Sequence, residues 1–169
     1  MISRSMKFPA TALAAPLLAG ALLLMSSPGC AQRAPGAFMH FPGAWSGGGT
    51  ITLSNGSKER IRCRANYAVD NSGAELKLDL RCASDSYRFE LQSTVTNRGG
   101  EVSGNWSESG RGAGGTVSGT ASGSRIDIRA TGPTFTALMS MNTTAGRQTI
   151  SIESPGSELS AVAITLSKG

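Results

Sequence analysis

Short runs of alternating hydrophobic and polar residues fill the chain from residue 43 onward. Apolar side chains stand at every second position between Arg60 and Val69, and again between Leu76 and Cys82. A period of two is typical of half-buried β-strands. Glycine, asparagine, serine and aspartate separate the runs, and no stretch has a convincing helical period. The pattern predicts an all-β domain.

Ten such runs are joined by short polar turns. They cover residues 45–53, 59–69, 76–83, 86–96, 101–108, 115–122, 125–131, 134–141, 148–154 and 158–167. Consecutive strands joined by short turns pair antiparallel. We therefore expect an up-and-down meander of about eight to ten strands that closes into a small barrel, because closure removes exposed edges. A two-sheet β-sandwich is the alternative.

The register across the polar turn at residues 70–75 places Cys63 opposite Cys82. In an oxidising compartment this pair should form a disulfide. Extending the register across the next turn sets Cys82 opposite Tyr87. In the other direction, a three-residue loop with a glycine bulge around Asn55-Gly56 sets Gly49 opposite Cys63 and keeps the two faces consistent.

The inward positions mix a few large side chains with many small ones. The large ones are the candidate contacts for a ligand: Trp45, Tyr67, Phe89 and Trp106. The small ones include Gly47, Gly49, Gly104, Gly119, Ala65, Ala121 and Ala137. Such an interior either packs into a dry core or leaves a cavity for a small apolar ligand. Both interpretations stay open, since glycine also relieves curvature in coiled strands.

The outward positions of the second to fourth strands carry a candidate anion site. The predicted register aligns Arg64, Arg81 and Arg88 in one cross-strand row, with Arg62 as a diagonal neighbour. Like charges directly opposite each other are unfavourable by up to about 1 kcal/mol, so something should offset them. Diagonal contacts with Asp or Glu would do so, and so would a bound carboxylate, phosphate or acidic lipid headgroup.

The N-terminal region is typical of a secretory signal peptide. Arg4 and Lys7 precede an apolar run over residues 8–25, and small residues follow up to Ala31. Cleavage after Ala31 would release a soluble protein, whereas cleavage before Cys30 would allow its thiol to be lipidated. We divide the chain into a signal peptide over residues 1–31, a flexible tail over 32–42 and a β-barrel domain over 43–169.

Catalytic signatures are largely missing from the domain. The only histidine of the chain, His40, lies in the predicted tail. The domain therefore lacks the usual general base and any histidine-based metal site. The net charge of the whole chain is +5, and it becomes smaller when Arg4 and Lys7 are removed with the signal peptide. So small a charge does not indicate nucleic-acid binding. We expect no enzyme activity, no cofactor and no metal.

Two resemblances agree with an exported barrel. Gly43-Ala44-Trp45 resembles the Gly-x-Trp motif that opens lipocalins, streptavidin-like barrels and bacterial metalloprotease-inhibitor barrels. In the inhibitors an N-terminal strand inhibits the protease, and it would correspond to residues 32–42. The blocks at residues 45–53, 59–67, 80–89 and 102–108 resemble a family of small exported bacterial proteins, a resemblance that supports one domain and supplies no activity, substrate or site.

These observations together predict a non-catalytic barrel of the bacterial cell envelope. It would be periplasmic or secreted, with a lipid anchor at Cys30 as its only route to the outer membrane. Its expected partner is a small apolar or anionic ligand, a lipid or an envelope protein. A protein-interaction module of the protease-inhibitor type, which would use the tail and the rim of the barrel, is the alternative.

Overall fold

The computed structural model describes residues 36–144 and 146–169. Its ten strands are β1 (Gly43–Leu53), β2 (Lys58–Val69), β3 (Glu75–Ala83), β4 (Arg88–Arg98), β5 (Glu101–Glu108), β6 (Ala113–Ser122), β7 (Arg125–Thr131), β8 (Thr136–Thr144), β9 (Arg147–Glu153) and β10 (Leu159–Lys168). Each strand pairs antiparallel with its sequence neighbours, and β1 pairs with β10. The predicted up-and-down barrel is therefore confirmed. The ten strands form one closed sheet and not the two sheets of the alternative β-sandwich.

The proposed signal peptide and Cys30 lie outside the described residues. Within the part of the chain that the structure describes, no helix has the length and apolar character needed to cross a membrane.

The register between β2 and β3 is the predicted one. Val69 pairs with Leu76, Tyr67 with Leu78 and Cys63 with Cys82. The two cysteines form a disulfide, with their Cα atoms 4.1 Å apart. The Asp70 carboxylate accepts hydrogen bonds from the backbone N–H groups of Ala74 and Glu75, each 2.8 Å long, which fixes the turn and so the register.

The predicted register between β1 and β2 is wrong by two residues. Cys63 lies opposite Gly47 rather than Gly49, and the connecting loop is residues 54–56, one position earlier than expected. The loop is closed by a 2.9 Å hydrogen bond from Leu53 N–H to the Ser57 carbonyl. Gly56 has φ +84°, and the last residue of such a loop is the one that must adopt the left-handed conformation. The shift is even, so the inward face is preserved.

The predicted register between β3 and β4 is also wrong by two residues. Cys82 pairs with Phe89 rather than Tyr87, and Arg81 pairs with Glu90 rather than Arg88. The turn is centred on residues 85–86, because Ser84 N–H donates to the Tyr87 carbonyl at 2.8 Å and Tyr87 N–H donates to the Ser84 hydroxyl at 3.0 Å. Arg88 therefore leaves the predicted arginine row and lies opposite Ala83.

Residues 36–42 close one end of the barrel, which we call the closed end. Phe38 and Phe41 are 1% and 3% exposed, and their rings contact each other edge to face at 5.9 Å. Phe38 N–H donates to the carbonyl of Gly73 at 3.3 Å, so this segment is fastened to the β2–β3 turn. The expectation of an extended or disordered tail is therefore wrong for these residues, because two phenylalanines bury their rings in the core. Residues 32–35 lie outside the described part.

Candidate functional site

Two of the four predicted pocket residues belong to the closed end. Trp45 is 2% exposed, and its indole N–H donates to the Phe41 carbonyl at 2.8 Å. The buried Tyr67 hydroxyl donates to Gln148 Oε1 at 2.8 Å, and Gln148 Nε2 donates to Thr143 Oγ1 at 3.0 Å. Burial raises the pKa of Tyr67 well above its usual range, although the bond to Gln148 opposes the rise. Trp45 and Tyr67 are therefore occupied in holding the closed end together.

The other two predicted pocket residues lie in the opposite half of the barrel. Trp106 donates its indole N–H to the Thr131 carbonyl at 3.3 Å, and its ring lies 5.5 Å from that of Phe135. Phe89 is half-buried, stacks on Tyr87 with ring centroids 6.3 Å apart, and has the Arg111 guanidinium 5.1 Å from its ring centre. The structure thus separates the four predicted contacts into two pairs.

Eight inward-facing apolar side chains are only half-buried, and we call them the apolar walls. One wall lies on β3 and β4 and the other on β7 to β10, and their members are Leu78, Leu80, Phe89 and Leu91, and Ile128, Met139, Ile152 and Val162. In the second wall, consecutive members pair directly across neighbouring strands. β3 and β8 are five strands apart in a ring of ten, so the walls face each other across the barrel.

Hydrogen bonds between turns organise the end of the barrel opposite the closed end. The Tyr87 hydroxyl, after β3, donates to Glu158 Oε1, before β10, at 2.7 Å. This bond raises the pKa of Tyr87. Glu59 Oε2 accepts from the Ser84 hydroxyl at 2.9 Å and from Ser86 N–H at 3.2 Å. The turn that carries Tyr87 is therefore tied to both β2 and the β9–β10 turn.

Glu108 is a buried carboxylate at this same end, and its side chain is 6% exposed. Oε1 accepts from the N–H groups of Glu90 and Gly110 at 3.1 and 3.0 Å, and Oε2 accepts from Arg111 N–H at 2.8 Å. Burial alone would raise the pKa of Glu108, but the three backbone donors outweigh it and lower the pKa below its ordinary value. Glu108 thus shapes the turn that holds Arg111 over Phe89.

Replacing Glu108 with glutamine should reduce stability in a pH-dependent way. The amide N–H₂ would face backbone donors, so we expect a loss of about 1–3 kcal/mol in the free energy of unfolding at pH 7. Because the folded-state pKa is lowered, the stabilisation by Glu108 is present above the unfolded pKa and is lost as the pH falls through the folded value. Urea denaturation of both proteins between pH 7 and pH 3 should therefore show the difference shrinking.

Glu101→Gln is the matched control for that measurement, since Glu101 is exposed and lies at the other end of the same strand. The free energies of unfolding of the two variants should differ at pH 7 and become equal in acid. An equal response of both to pH would contradict the role assigned to Glu108.

The four predicted anion-binding arginines converge on the outer surface, although not in the predicted row. Arg64 lies opposite Arg81, as predicted, whereas Arg62 and Arg88 flank Ala83 in the next row. All four are exposed and line one groove of about 570 Å³, which we call the arginine groove. It adjoins a second groove of about 630 Å³ that shares Arg64, Arg81 and Glu90 with it.

Neither Glu108 nor the hydrogen bond between Tyr87 and Glu158 was predicted from the sequence. Glu108 did have a signal, because it places a charge on the inward period of β5 immediately before the glycine-rich turn. The hydrogen bond between Tyr87 and Glu158 joins residues 71 positions apart, so no local pattern could have indicated it.

Comparisons with known proteins found a similar fold but no similar sequence. No family model matches the chain, and no curated protein matches it by sequence. The structure is similar to that of the S-type phycobiliprotein lyase CPES from Guillardia theta, with a TM-score of 0.58 over 78% of this chain and 90% of that chain. The sequence identity is 8%, so the similarity concerns the fold alone. The chain is a ten-stranded antiparallel β-barrel with a structural neighbour in that lyase.

Proposed function

We propose that this protein is an exported, non-catalytic barrel that binds a small apolar ligand between its apolar walls. The observation that carries the proposal is the partial exposure of eight apolar side chains that point into the barrel. Inward side chains of a filled core would be buried from water. Exposed apolar surface inside a concave site favours binding of an apolar molecule.

The width of the barrel supports the proposal. An interior of about eight strands can be filled by side chains or hold one small ligand, and the diameter grows with strand number. This barrel has ten strands, and several inward positions carry only glycine or alanine, among them Gly104, Gly119 and Ala130. These positions contribute little side-chain volume to the interior of a ten-stranded ring.

Export and the absence of catalysis rest on separate observations. The Cys63–Cys82 disulfide favours an oxidising compartment, in agreement with the predicted signal peptide. The carboxylates near the apolar walls hold the fold: Glu108 binds three backbone N–H groups, and Glu158 binds Tyr87. His40 lies exposed on the segment at the closed end.

The protease-inhibitor alternative receives less support. It requires the N-terminal tail to enter a protease, whereas Phe38 and Phe41 of that tail are buried against this protein's own core.

Titration with the apolar fluorescent probe N-phenyl-1-naphthylamine tests the proposal. The wild-type protein should enhance the fluorescence of the probe in a saturable way. Ile128→Trp would fill the space between the apolar walls, and we expect it to weaken probe binding by about tenfold or more.

Arg129→Trp is the matched control, because Arg129 is the next residue of β7 and points outward. It adds the same ring to the other face, so probe binding should stay at the wild-type level. Circular dichroism would confirm that both variants fold. Equal affinity of the two variants, or no saturable binding by the wild type, would refute binding inside the barrel.

A further inference from the structure

We propose that the arginine groove is a second binding site, on the outside of the barrel, and that it binds a phosphate group. Arg62, Arg64, Arg81 and Arg88 reach it from β2, β3 and β4. The site is distinct from the space between the apolar walls, because the four arginines point to the opposite face of the sheet, although Phe89 of the walls also borders the groove.

Four arginines and one carboxylate, Glu90, line the groove, and none of the arginines forms an ion pair with a described residue there. Arg64 and Arg81 occupy directly opposed positions, an arrangement that like charges disfavour. No carboxylate of a described residue lies within 4.0 Å of any of the four guanidinium groups. A bound anion would relieve the repulsion that folding alone leaves in place.

The neighbouring carboxylates are directed to uncharged partners. Asp79 accepts a 3.0 Å hydrogen bond from the side-chain amide of Gln92. Glu90 lies opposite Arg81, yet its Oε2 accepts from the Ser109 hydroxyl at 3.4 Å. The expected diagonal neutralisation of the arginines by Asp and Glu is therefore not formed.

An exposed arginine elsewhere on the barrel, Arg125, does form an ion pair. Arg125 binds both carboxylate oxygens of Asp127, with Nε–Oδ2 and Nη2–Oδ1 distances of 2.6 and 2.9 Å. An arginine of this barrel that has a suitably placed carboxylate therefore pairs with it. The planar guanidinium fork suits phosphate in the same bidentate way.

The fixed positions of the groove strands favour a defined ligand over a diffuse ion atmosphere. The groove is open to solvent and has a volume of about 570 Å³, which is room enough for a phosphate group. The Cys63–Cys82 disulfide joins the two strands that carry Arg62, Arg64 and Arg81. Holding these strands in fixed register limits the ordering that binding would require.

Calorimetric titration of the full-length mature protein with inorganic phosphate, at constant ionic strength against chloride, tests the inference. The wild type should bind phosphate saturably. Arg64→Gln combined with Arg81→Gln should weaken binding about tenfold or more, because two of the four donors are lost. The control combines Arg98→Gln with Arg129→Gln, which removes the same charge from outside the groove and should change the affinity less than about twofold.

A second arm identifies the source of the phosphate. The same three proteins are sedimented with vesicles of phosphatidylcholine alone or mixed with phosphatidylglycerol. Groove-dependent binding to the anionic vesicles that free phosphate displaces indicates a lipid headgroup, whereas phosphate binding without vesicle binding indicates a soluble phosphate compound. The inference is overturned if the wild type prefers phosphate no more than chloride, or if the groove and control variants weaken binding equally. Neither result would affect probe binding between the apolar walls.

Discussion

Replacing Gly49 with alanine is expected to lower the free energy of unfolding by about 3 kcal/mol or more. Gly49 lies in β1 and pairs with Ile164 of β10. A Cβ atom at this position would overlap the backbone carbonyl oxygen of Ala163, and at Gly47 it would overlap that of Thr165. Both glycines face the seam where the last strand meets the first. Because the obstruction is backbone, the seam would have to open to admit a methyl group.

Gly114→Ala is the matched control for this prediction. Gly114 also lies within a strand, β6, but a Cβ there would meet its nearest atom, the Trp106 carbonyl oxygen, at 3.1 Å. A small shift accommodates that contact, and alanine lowers the entropy of the unfolded chain, so the net change should stay within about 1 kcal/mol. Thermal and urea denaturation would compare the two variants. A Gly49→Ala protein as stable as Gly114→Ala would show that the seam does not depend on glycine.

The sequence was sufficient to predict the strands, the closed meander and one register. The β2–β3 pairing followed from alternation on both sides of a polar turn, and the structure confirms it down to the disulfide. The two adjacent registers were each shifted by two residues. Alternation cannot detect an even shift, since the faces stay the same. Only the conformation of the turn decides it, as Gly56 does for β1 and β2.

Those even shifts determine how much of the candidate sites could be predicted. The residues that were assigned to a face from the sequence, such as Trp106, Phe89 and the four arginines, are on the expected faces. Their cross-strand partners were not all predicted correctly, because Arg88 moved by one row and Glu90 took its place opposite Arg81. Contacts between distant turns, such as that of Tyr87 with Glu158, depend on how the barrel closes and have no local sequence pattern.

Replacing Phe41 with alanine should cost about 3–5 kcal/mol, the usual range for a buried phenylalanine. The Phe41 ring is 3% exposed and packs edge to face on Tyr67, with centroids 5.3 Å apart. The backbone carbonyl of residue 41 would still be present to accept the hydrogen bond from Trp45. The measured loss would therefore report the packing of the ring. Urea denaturation followed by tryptophan fluorescence would measure the stability, with Trp45 and Trp106 both contributing to the emission.

His40→Ala separates the role of the ring from that of the segment. His40 is the preceding residue and is exposed, so its replacement should change stability by about 0.5 kcal/mol or less. If residues 36–42 are a structural part of the barrel, only the Phe41 variant should be destabilised and show a red-shifted tryptophan emission. If they were a spacer for a lipid anchor or an inhibitory strand, the two variants would be equally stable. The contrast therefore decides whether the barrel domain begins at residue 43 or includes the segment before it.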